Sequence, residues 1–258
     1  MVPAGKPLSG LLSWANRTLA FRQGVGEPAL GIGFYANVIR IAENLGLAIS
    51  TDGVGTKILV AEMLRKYDTL GIDCIAMNVN DVICVGAEPL AMVDYLAVQE
   101  ARPDVLEQIG KGLHDGAAQA NITIPGGELA QLRDMISGVH PGEGIDLMGT
   151  AVGIVALDRM ILGDAMQPGD VVVGLASSGI HSNGFTLARK ALFEAAGFRA
   201  DSHSPDLGRS VGEELLEPTR IYVKPVWKMI NEVAVHGLYH ITGDGLLNLN
   251  RGERPLGF

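Results

Sequence analysis

Apolar residues along this chain fall into blocks whose length and spacing change repeatedly between those of strands and those of helices. Short apolar runs that end at turn residues are typical of buried strands, and apolar residues three or four positions apart are typical of helices. Strands are predicted at residues 45–50, 90–98, 121–128, 145–157, 171–178 and 238–241. Helices are predicted near 9–21 and at 58–69, 71–89, 103–120, 185–196, 211–218 and 222–234. Strands and helices that alternate in this way predict an α/β (α+β) fold.

One stretch, DRMILGDAMQPGD at 158–170, has the turn residues of a junction between domains. A chain of 258 residues with 47% hydrophobic residues can bury the core of one large or two modest domains. We therefore expect a first domain over 1–157 and a second domain over 158–258.

Composition and charge exclude several classes of protein. The formal net charge is −9 and Lys and Arg form no run, which argues against a nucleic-acid surface. Cys74 and Cys84 have neither the spacing of a zinc site nor that of a disulfide framework, which favours a reducing compartment. The N-terminal ten residues lack the apolar core of a signal peptide, and no apolar run approaches membrane-spanning length. We expect a cytoplasmic protein that binds neither nucleic acid nor membrane.

The sequence has 34 glycines, and several of them stand beside acids and hydroxyls, in DGVGTK, GGE, SSGIHSNG and TGDG. Glycine at such positions lets backbone N–H groups approach a ligand closely. This pattern favours a ligand-binding enzyme over a structural module.

Four acids lie at predicted strand or helix ends in the first half of the chain: Asp52, Asp81, Asp94 and Glu128. Carboxylates spread over several loops, without His or Cys companions, suit a hard cation such as Mg²⁺. Each acid alone is better explained as a helix cap or a solvated turn residue. Taken together with the glycines, the four acids favour a metal site.

The loop TDGVGTK (51–57) follows a predicted buried strand and precedes a predicted helix. Lys57 at the start of that helix can neutralise phosphate oxygens, and Thr51 and Thr56 can donate hydroxyl hydrogens. The alternative is that Lys57 is an ordinary surface lysine. Gly53 and Gly55 would let the backbone approach a phosphate.

A second loop, SSGIHSNG (177–184), lies between a predicted buried strand and a predicted helix. The helix would present free N–H groups to an anion at its first turn. His181 stands among hydrogen-bond donors, and it could serve as a general acid or base near neutral pH.

Five motifs occur in an order that resembles one family: TDGVGTK, GIDCIAMNVNDVICVGAEPLAMVDY, GGE, SSGIHSNGFTLARK and LLEPTRIYVKPV. That family is aminoimidazole ribonucleotide synthetase, also called phosphoribosylformylglycinamidine cyclo-ligase, of purine biosynthesis. The resemblance covers about residues 45–250. The sequence departs from the family's pattern at LAQL after GGE, at GIGFY, and at TGDG in place of a triple glycine.

The resemblance implies a homodimer of two-domain chains. The first domain would form a β-barrel across the dimer, and the second α/β domain would flank it and be shortened here. It also implies a ligase that uses ATP and Mg²⁺ to close formylglycinamidine ribonucleotide into aminoimidazole ribonucleotide. ATP would phosphorylate the formamide oxygen, and an intramolecular nitrogen would then attack the activated carbon and release phosphate.

The resemblance also implies roles for individual residues. Metal ligands would be Asp52, Asp81 and Asp94. Residues that bind the nucleotide would be Thr51, Asp52, Gly53, Gly55, Thr56, Lys57, Asp81, Asp94, Gly126, Gly127 and Glu128. Residues that bind the substrate would be Ser177, Ser178, Gly179, His181, Ser182 and Asn183. His181, Asp52 and Lys57 would be the catalytic residues.

Two alternatives stay open at this point. One is another ATP-dependent enzyme of the same superfamily, such as thiamine-monophosphate kinase, selenophosphate synthetase or a hydrogenase-maturation dehydratase. The motif LLEPTRIYVKPV favours the purine enzyme over these. The other alternative is a catalytically impaired relative that only binds ligands or serves as a scaffold.

Overall fold

The computed structural model describes residues 6–252, so the ends of the two predicted domains, at 1–5 and 253–258, lie outside the described residues. Its helices are α1 Lys6–Thr18, α2 Ile58–Leu64, α3 Leu70–Cys84, α4 Pro103–Ala120, α5 Phe185–Arg189, α6 Val211–Leu215 and α7 Val223–Glu232. Its strands are β1 Asn37–Ala42, β2 Leu45–Gly53, β3 Glu88–Val98, β4 Thr123–Gln131, β5 Ile145–Ala156, β6 His203–Ser204 and β7 Arg209–Ser210. Short 3₁₀ turns lie at Leu19–Phe21, Gly55–Lys57, Leu157–Arg159 and Gly245–Arg251, and a π-helical turn at Lys190–Ala195 continues α5. This mixture of helix and sheet confirms the predicted α/β (α+β) class.

Five strands form one sheet in the order β1-β2-β5-β3-β4. All neighbours are antiparallel except β3 and β4, which are parallel and are connected through α4. Buried and partly exposed residues alternate along β5, from buried Ile145 to partly exposed Ala156. The sheet therefore covers a core with one face and leaves the other face open.

Helix α3 fills the covered face of the sheet and is buried on almost every side. Its first turn meets α4 at a close crossing, where Gly71 lies against the backbone of Gly112. One turn further on, Gly116 packs against Ile75 of α3 at a distance that leaves no room for a larger side chain. Small residues at the crossing let α4 approach α3 closely, so that α3 is buried between α4 and the sheet.

The predicted helix at 103–120 agrees with α4 at both ends. Pro103 starts it, because a proline at the first position loses no helical hydrogen bond. Asn121 ends it in the left-handed conformation, with φ 59°, which asparagine tolerates better than most residues. None of the helices in residues 6–252 combines the length and apolarity needed to cross a membrane.

Other helices end earlier than predicted. The helix at 58–69 stops at Leu64, because Arg65 adopts the left-handed conformation with φ 52°. The helix at 71–89 ends at Cys84, and Glu88 already begins β3. Strand β1 had no predicted counterpart, because its sequence, NVIRIA, follows a glycine-rich stretch that obscured the pattern.

Two predicted strands are wrong. Residues 171–178 lie outside every strand of the described chain, and Val171, Val172 and Val173 are 86%, 70% and 74% exposed. Residues 238–241 are also irregular, although His240 is buried. An apolar run becomes a strand only where another strand pairs with it. In residues 158–252, called the C-terminal region below, β6 and β7 are two residues long each and pair with one another.

Candidate functional site

Two of the predicted acids stand on one row of residues that crosses four strands. Asp52 on β2 pairs with Gly149 on β5, and Gly149 also pairs with Asp94 on β3. Asp94 in turn pairs with Gly127 on β4. Directly paired residues point to the same face of a sheet, and two strand spacings separate the Cα atoms of the two acids by about 10 Å. Both carboxylates therefore lie on the face that α3 covers, and we call this set the Asp52–Asp94 row.

The glycines of the row leave space that the neighbouring side chains use. A Cβ atom on Gly127 would collide with the carboxylate of Asp94 and lie 2.9 Å from the Asp94 carbonyl oxygen. A Cβ atom on Gly149 would lie 2.7 Å from the sulfur of Met92. The second glycine of GGE is thus required by the carboxylate beside it.

Asn78 of α3 fixes the backbone at Asp52. Its side-chain oxygen accepts a hydrogen bond from the Asp52 N–H at 2.9 Å, and its amide donates to the Asp52 carbonyl at 3.1 Å. The same amide donates to the carbonyl of Cys74 one turn earlier on α3. Sequence analysis gave Asn78 no role. The available signal was an amide inside an otherwise apolar predicted helix, and the structure buries that amide completely.

The environment of the row opposes negative charge. Burial raises the pKa of Asp52 above its ordinary value, a hydrogen bond from the Gly53 N–H opposes that rise, and the charge of Asp81 adds to it. Burial also raises the pKa of Asp94. A cation at the row would offset this cost, because a nearby positive charge favours the ionised carboxylate.

Asp81, the third predicted metal ligand, has a different partner. Its Oδ1 lies 2.8 Å from Nδ1 of His240, which is buried. Within residues 6–252, no three His, Cys, Asp or Glu side chains converge on one point as a metal cage would require. Mg²⁺ commonly takes one or two protein carboxylates and completes its octahedron with water and phosphate oxygens. The chemistry of Asp52 and Asp94 fits such a site.

The predicted nucleotide residues divide between the two faces of the sheet. Glu128 pairs with Tyr95 on the row next to Asp94 and Gly127, so it points to the open face and is exposed. The hydroxyl of Thr51 also belongs to that face and donates to the Gly149 carbonyl at 2.9 Å.

The loop after Asp52 turns away from the sheet at Gly55, whose φ of +69° suits glycine. Gly53 and Thr56 lie on either side of this turn. The hydroxyl of Thr56 comes within 3.5 Å of the hydroxyl of Thr186, at the start of α5. The loop therefore touches the C-terminal region where two exposed hydroxyls meet.

Lys57 does not reach the surface, so the surface-lysine alternative is wrong. Its side chain is 0% exposed, and its ammonium lies 2.9 Å from both oxygens of Asp73. It also donates to the carbonyls of Glu217, at 2.7 Å, and of His181, at 3.2 Å. The predicted contact between Lys57 and a phosphate stays a prediction, because the ammonium has protein acceptors in this structure.

Asp73 and Asn80 are site residues that sequence analysis missed. They stand seven positions, or two turns, apart on one side of α3, and both are buried. Asn80 donates to the Arg220 carbonyl at 2.9 Å and accepts from the Tyr222 N–H at 3.0 Å. Two buried polar residues at this spacing were a signal that the C-terminal region packs on this side of α3.

The predicted substrate loop, 177–184, is held by contacts with α3 and with the segment between α6 and α7. The hydroxyl of Ser178 donates to the Pro218 carbonyl at 2.6 Å, and the hydroxyl of Ser182 donates to Asp73 at 3.1 Å. The amide of Asn183 points to the sulfur of Met77 at 3.9 Å. Ser177 and Gly179 are exposed, and the φ of Gly179 is +77°.

Family models match most of this chain. The N-terminal domain described as AIR synthase related protein matches residues 33–155, and the corresponding C-terminal domain matches residues 167–249. The chain belongs to the AIR synthase related family. The family resemblance predicted from the five motifs is thereby confirmed, whereas the boundary at 157/158 stays a prediction.

Three relatives of this family member share one name. The phosphoribosylformylglycinamidine cyclo-ligase of Pyrococcus horikoshii is 56% identical over 95% of this chain and 70% of its own length. The enzyme of the same name from Pyrococcus furiosus is 53% identical over the same shares. That from Methanobrevibacter smithii is 48% identical over 97% of this chain and 71% of its own length.

Solved structures agree with the fold of this AIR synthase related protein. The structure of AaThiL complexed with AMPPCP and TMP has a TM-score of 0.57 and 20% identity, and covers 89% of this chain and 65% of that one. The thiamine monophosphate kinase of Aquifex aeolicus has a TM-score of 0.54 and 21% identity, over 87% and 66% of the two chains. At this identity the likeness concerns the fold alone.

His181, the predicted acid or base of this family member, has an unusual backbone and ring. Its φ of +60° is left-handed, and its Nε2 accepts a hydrogen bond from the Ser178 N–H at 3.1 Å. Burial lowers the pKa of His181 to about 4, and the nearby His240 and Lys57 add to this effect. The imidazole is therefore neutral at pH 7.

The His181 pKa predicts a pH dependence of stability. An unfolded histidine titrates near 6.5, so between about pH 6.5 and 4 the unfolded chain takes up this proton first and folding is disfavoured. His181→Asn, which tolerates the left-handed backbone, should lose less stability than the wild type over that interval. Urea midpoints measured from pH 7 to pH 4 check this. Parallel profiles for the two proteins would contradict the low pKa.

Proposed function

We propose that this protein closes the ring of formylglycinamidine ribonucleotide in an ATP-dependent reaction that forms aminoimidazole ribonucleotide. ATP would phosphorylate the formamide oxygen, and an intramolecular nitrogen would then attack the activated carbon and release phosphate. The observation that carries the proposal is the 56% identity to a phosphoribosylformylglycinamidine cyclo-ligase over 95% of this chain. The likeness to thiamine monophosphate kinase is 21% in sequence and supports that alternative less.

Phosphoryl transfer needs charge neutralisation and positioning more than covalent chemistry. In this proposal Asp52 and Asp94 hold Mg²⁺, which when bound neutralises phosphate charge on ATP. Asp81 adds negative charge beside Asp52, in keeping with its effect on the Asp52 pKa. The backbone at Gly53 and Gly55 and the hydroxyl of Thr56 would receive the phosphates.

The substrate would lie against loop 177–184, where Ser177 and Gly179 are exposed. His181 would exchange the hydrogen bond from Ser178 for one from the substrate, because a neutral imidazole nitrogen can accept a proton. Glu128 and Thr51, on the open face, would contribute to the site only in the presence of a second copy of the chain.

The test of the proposed reaction is ADP release with Mg²⁺·ATP and formylglycinamidine ribonucleotide. Thiamine monophosphate and selenide serve as parallel substrates, and omission of Mg²⁺ tests the metal. We expect ADP only with the purine substrate and only with Mg²⁺. Release with thiamine monophosphate instead would favour the kinase alternative, and nucleotide binding without turnover of any substrate would favour the non-catalytic alternative.

The homodimer implied by the family resemblance would use the open face of the sheet. Val93 and Tyr95 of β3 are 45% and 36% exposed on that face, and they pair with Thr150 and Met148 of β5. Apolar side chains of this size on an uncovered sheet face favour packing against another surface. A second copy of the same sheet would bury them and close the barrel.

The variant Val93→Lys is expected to convert the dimer to a monomer at micromolar concentration. A lysine buried at the interface would have no partner for its charge, which costs several kcal/mol. Light scattering coupled to size exclusion measures the change in mass. Met135→Lys is the control, because Met135 is 80% exposed on the loop after β4. A Val93→Lys protein that keeps the wild-type mass would contradict this interface.

A further inference from the structure

The buried ion pair between Lys57 and Asp73 joins three separate parts of the chain. Lys57 ends the loop of the Asp52–Asp94 row, and Asp73 stands in the first turns of α3. Both side chains are 0% exposed. The Lys57 ammonium also donates to the carbonyls of His181 and Glu217, which belong to the C-terminal region.

Asp73 collects hydrogen bonds from the same region. Its Oδ1 accepts from the Thr219 N–H at 2.7 Å, from the Thr219 hydroxyl at 2.6 Å and from the Ser182 hydroxyl at 3.1 Å. The Ser182 and Thr219 hydroxyls also lie 3.0 Å apart. Loop 177–184 is therefore bonded on two sides, at His181 by Lys57 and at Ser182 by Asp73.

Burial disfavours the charge on both members of the pair. It lowers the pKa of Lys57 and raises that of Asp73. Two apolar residues of similar volume commonly replace a buried ion pair without loss of stability. Stability alone therefore gives little reason to keep these two charges. The pair does fix the local geometry, because each charged group bonds several partners at set positions.

Loop 177–184 needs such support, because its backbone is locally strained. His181 has a φ of +60°, in the left-handed region that costs a residue with a Cβ atom about 1–2 kcal/mol. The residue keeps this conformation only if its surroundings hold it. The bonds from Lys57 to the His181 carbonyl and from Ser182 to Asp73 flank the strained residue directly.

We infer that Lys57 and Asp73 are positioning residues. Their ion pair holds loop 177–184 beside the Asp52–Asp94 row, so that the predicted substrate loop meets the predicted metal ligands. The inference rests on the proposed function for its kinetic consequences. Lys57 acts here through the carbonyls of His181 and Glu217. Asp73 acts through Ser182 and Thr219.

The test is the double variant Lys57→Met/Asp73→Asn, which removes both charges and keeps an oxygen that can accept from Thr219. We expect it to be folded and within a few degrees of the wild-type melting temperature. We also expect kcat for ADP release to fall about tenfold, because a displaced loop misaligns the reacting groups. Hydrogen exchange should speed up at Ser182 and Phe185 and stay unchanged in the middle of α3.

The matched control is Lys66→Met/Asp68→Asn, which removes an ion pair of 2.7 Å that is partly exposed. It makes the same change of charge, and we expect no change in kcat or in loop exchange. A stable Lys57→Met/Asp73→Asn protein with wild-type kcat and wild-type exchange at Ser182 would overturn the inference, since a merely structural pair predicts that result.

If the double variant does not fold, Thr219→Val tests the same bonds without touching either charge. It deletes the hydroxyl that donates to Asp73 at 2.6 Å. Faster exchange at Ser182 with a fall in kcat supports the inference, and no change in either overturns it. The exchange measurement also separates this inference from the proposed function. A wild type that releases no ADP with the purine substrate, while Thr219→Val still loosens the loop, contradicts only the proposed reaction.

Discussion

Asp52→Asn is expected to lower ADP release with formylglycinamidine ribonucleotide by more than about 100-fold, since even residues that only support a metal ligand are worth about 10- to 100-fold. The asparagine removes the charge that would bind Mg²⁺. It keeps the Oδ1 atom that accepts the 2.7 Å hydrogen bond from the Gly53 N–H. The loop should therefore stay folded while the metal site is lost.

Steady-state ADP release over a range of Mg²⁺ concentrations measures this effect, and the Mg²⁺ needed for half-maximal rate should rise with the loss of turnover. Asp94→Asn should behave in the same way, because Asp94 lies on the same row. Asp206→Asn is the control, since Asp206 is exposed in the turn between β6 and β7. Near-normal turnover of Asp52→Asn would remove Asp52 from the metal site.

Four strands of the five-stranded sheet, β2 to β5, could be predicted from the sequence, because they carry local signals, whereas β1 was missed. Along β5 buried and partly exposed positions alternate over 12 residues, which is the period of a half-covered strand. Helix α4 has a proline at its start and an asparagine just after its end. Such signals depend on neighbouring residues only, so they can be recognised without knowledge of the tertiary fold.

The partners of Lys57 could not be predicted in the same way. Its contacts reach 16 residues along the chain to Asp73, 124 to His181 and 160 to Glu217. A lysine after a glycine-rich loop resembles a phosphate ligand whether it is exposed or buried. Burial of a charge depends on where distant segments pack, and no local pattern records that.

The sequence identified the acids of the candidate site but not which of them lie on the same face of the sheet. Asp52 and Asp94 each follow an apolar run, and the sheet then aligns them through Gly149. Glu128 follows Gly127 by one residue, and this single step places it on the opposite face. Motif spacing identified the acids but could not give the register that decides which of them meet.

Segment 171–178 was predicted to be a strand, and the structure shows that it is not one. Its apolar, β-branched sequence has the composition of a strand, but Val171 and Val173 remain exposed in the described chain. Strand propensity measures how well a residue fits a paired and half-buried surface. Without a paired strand, the same residues have no ladder to join.

Gly71→Ala is expected to destabilise the protein by about 3 kcal/mol, at the upper end of the usual cost of overpacking. A Cβ atom on Gly71 would overlap the backbone of Gly112 and Leu113 and lie 2.7 Å from the Ile109 carbonyl oxygen. Backbone atoms cannot rotate away as a flexible side chain can. Helix α4 would have to move away from α3, and the core beneath the Asp52–Asp94 row would lose packing along the whole crossing.

The control for Gly71→Ala is Gly110→Ala, on the exposed side of α4. No heavy atom lies within 4 Å of a Cβ atom there, so the added methyl meets only solvent. Alanine is favoured over glycine inside a helix by about 0.5–1 kcal/mol, so this variant should be slightly more stable than the wild type. Thermal unfolding measures both changes, and about 2–4 °C per kcal/mol is expected for a chain of this size. If Gly71→Ala melts at the wild-type temperature while Gly110→Ala melts higher, the two helices do not cross as closely as described.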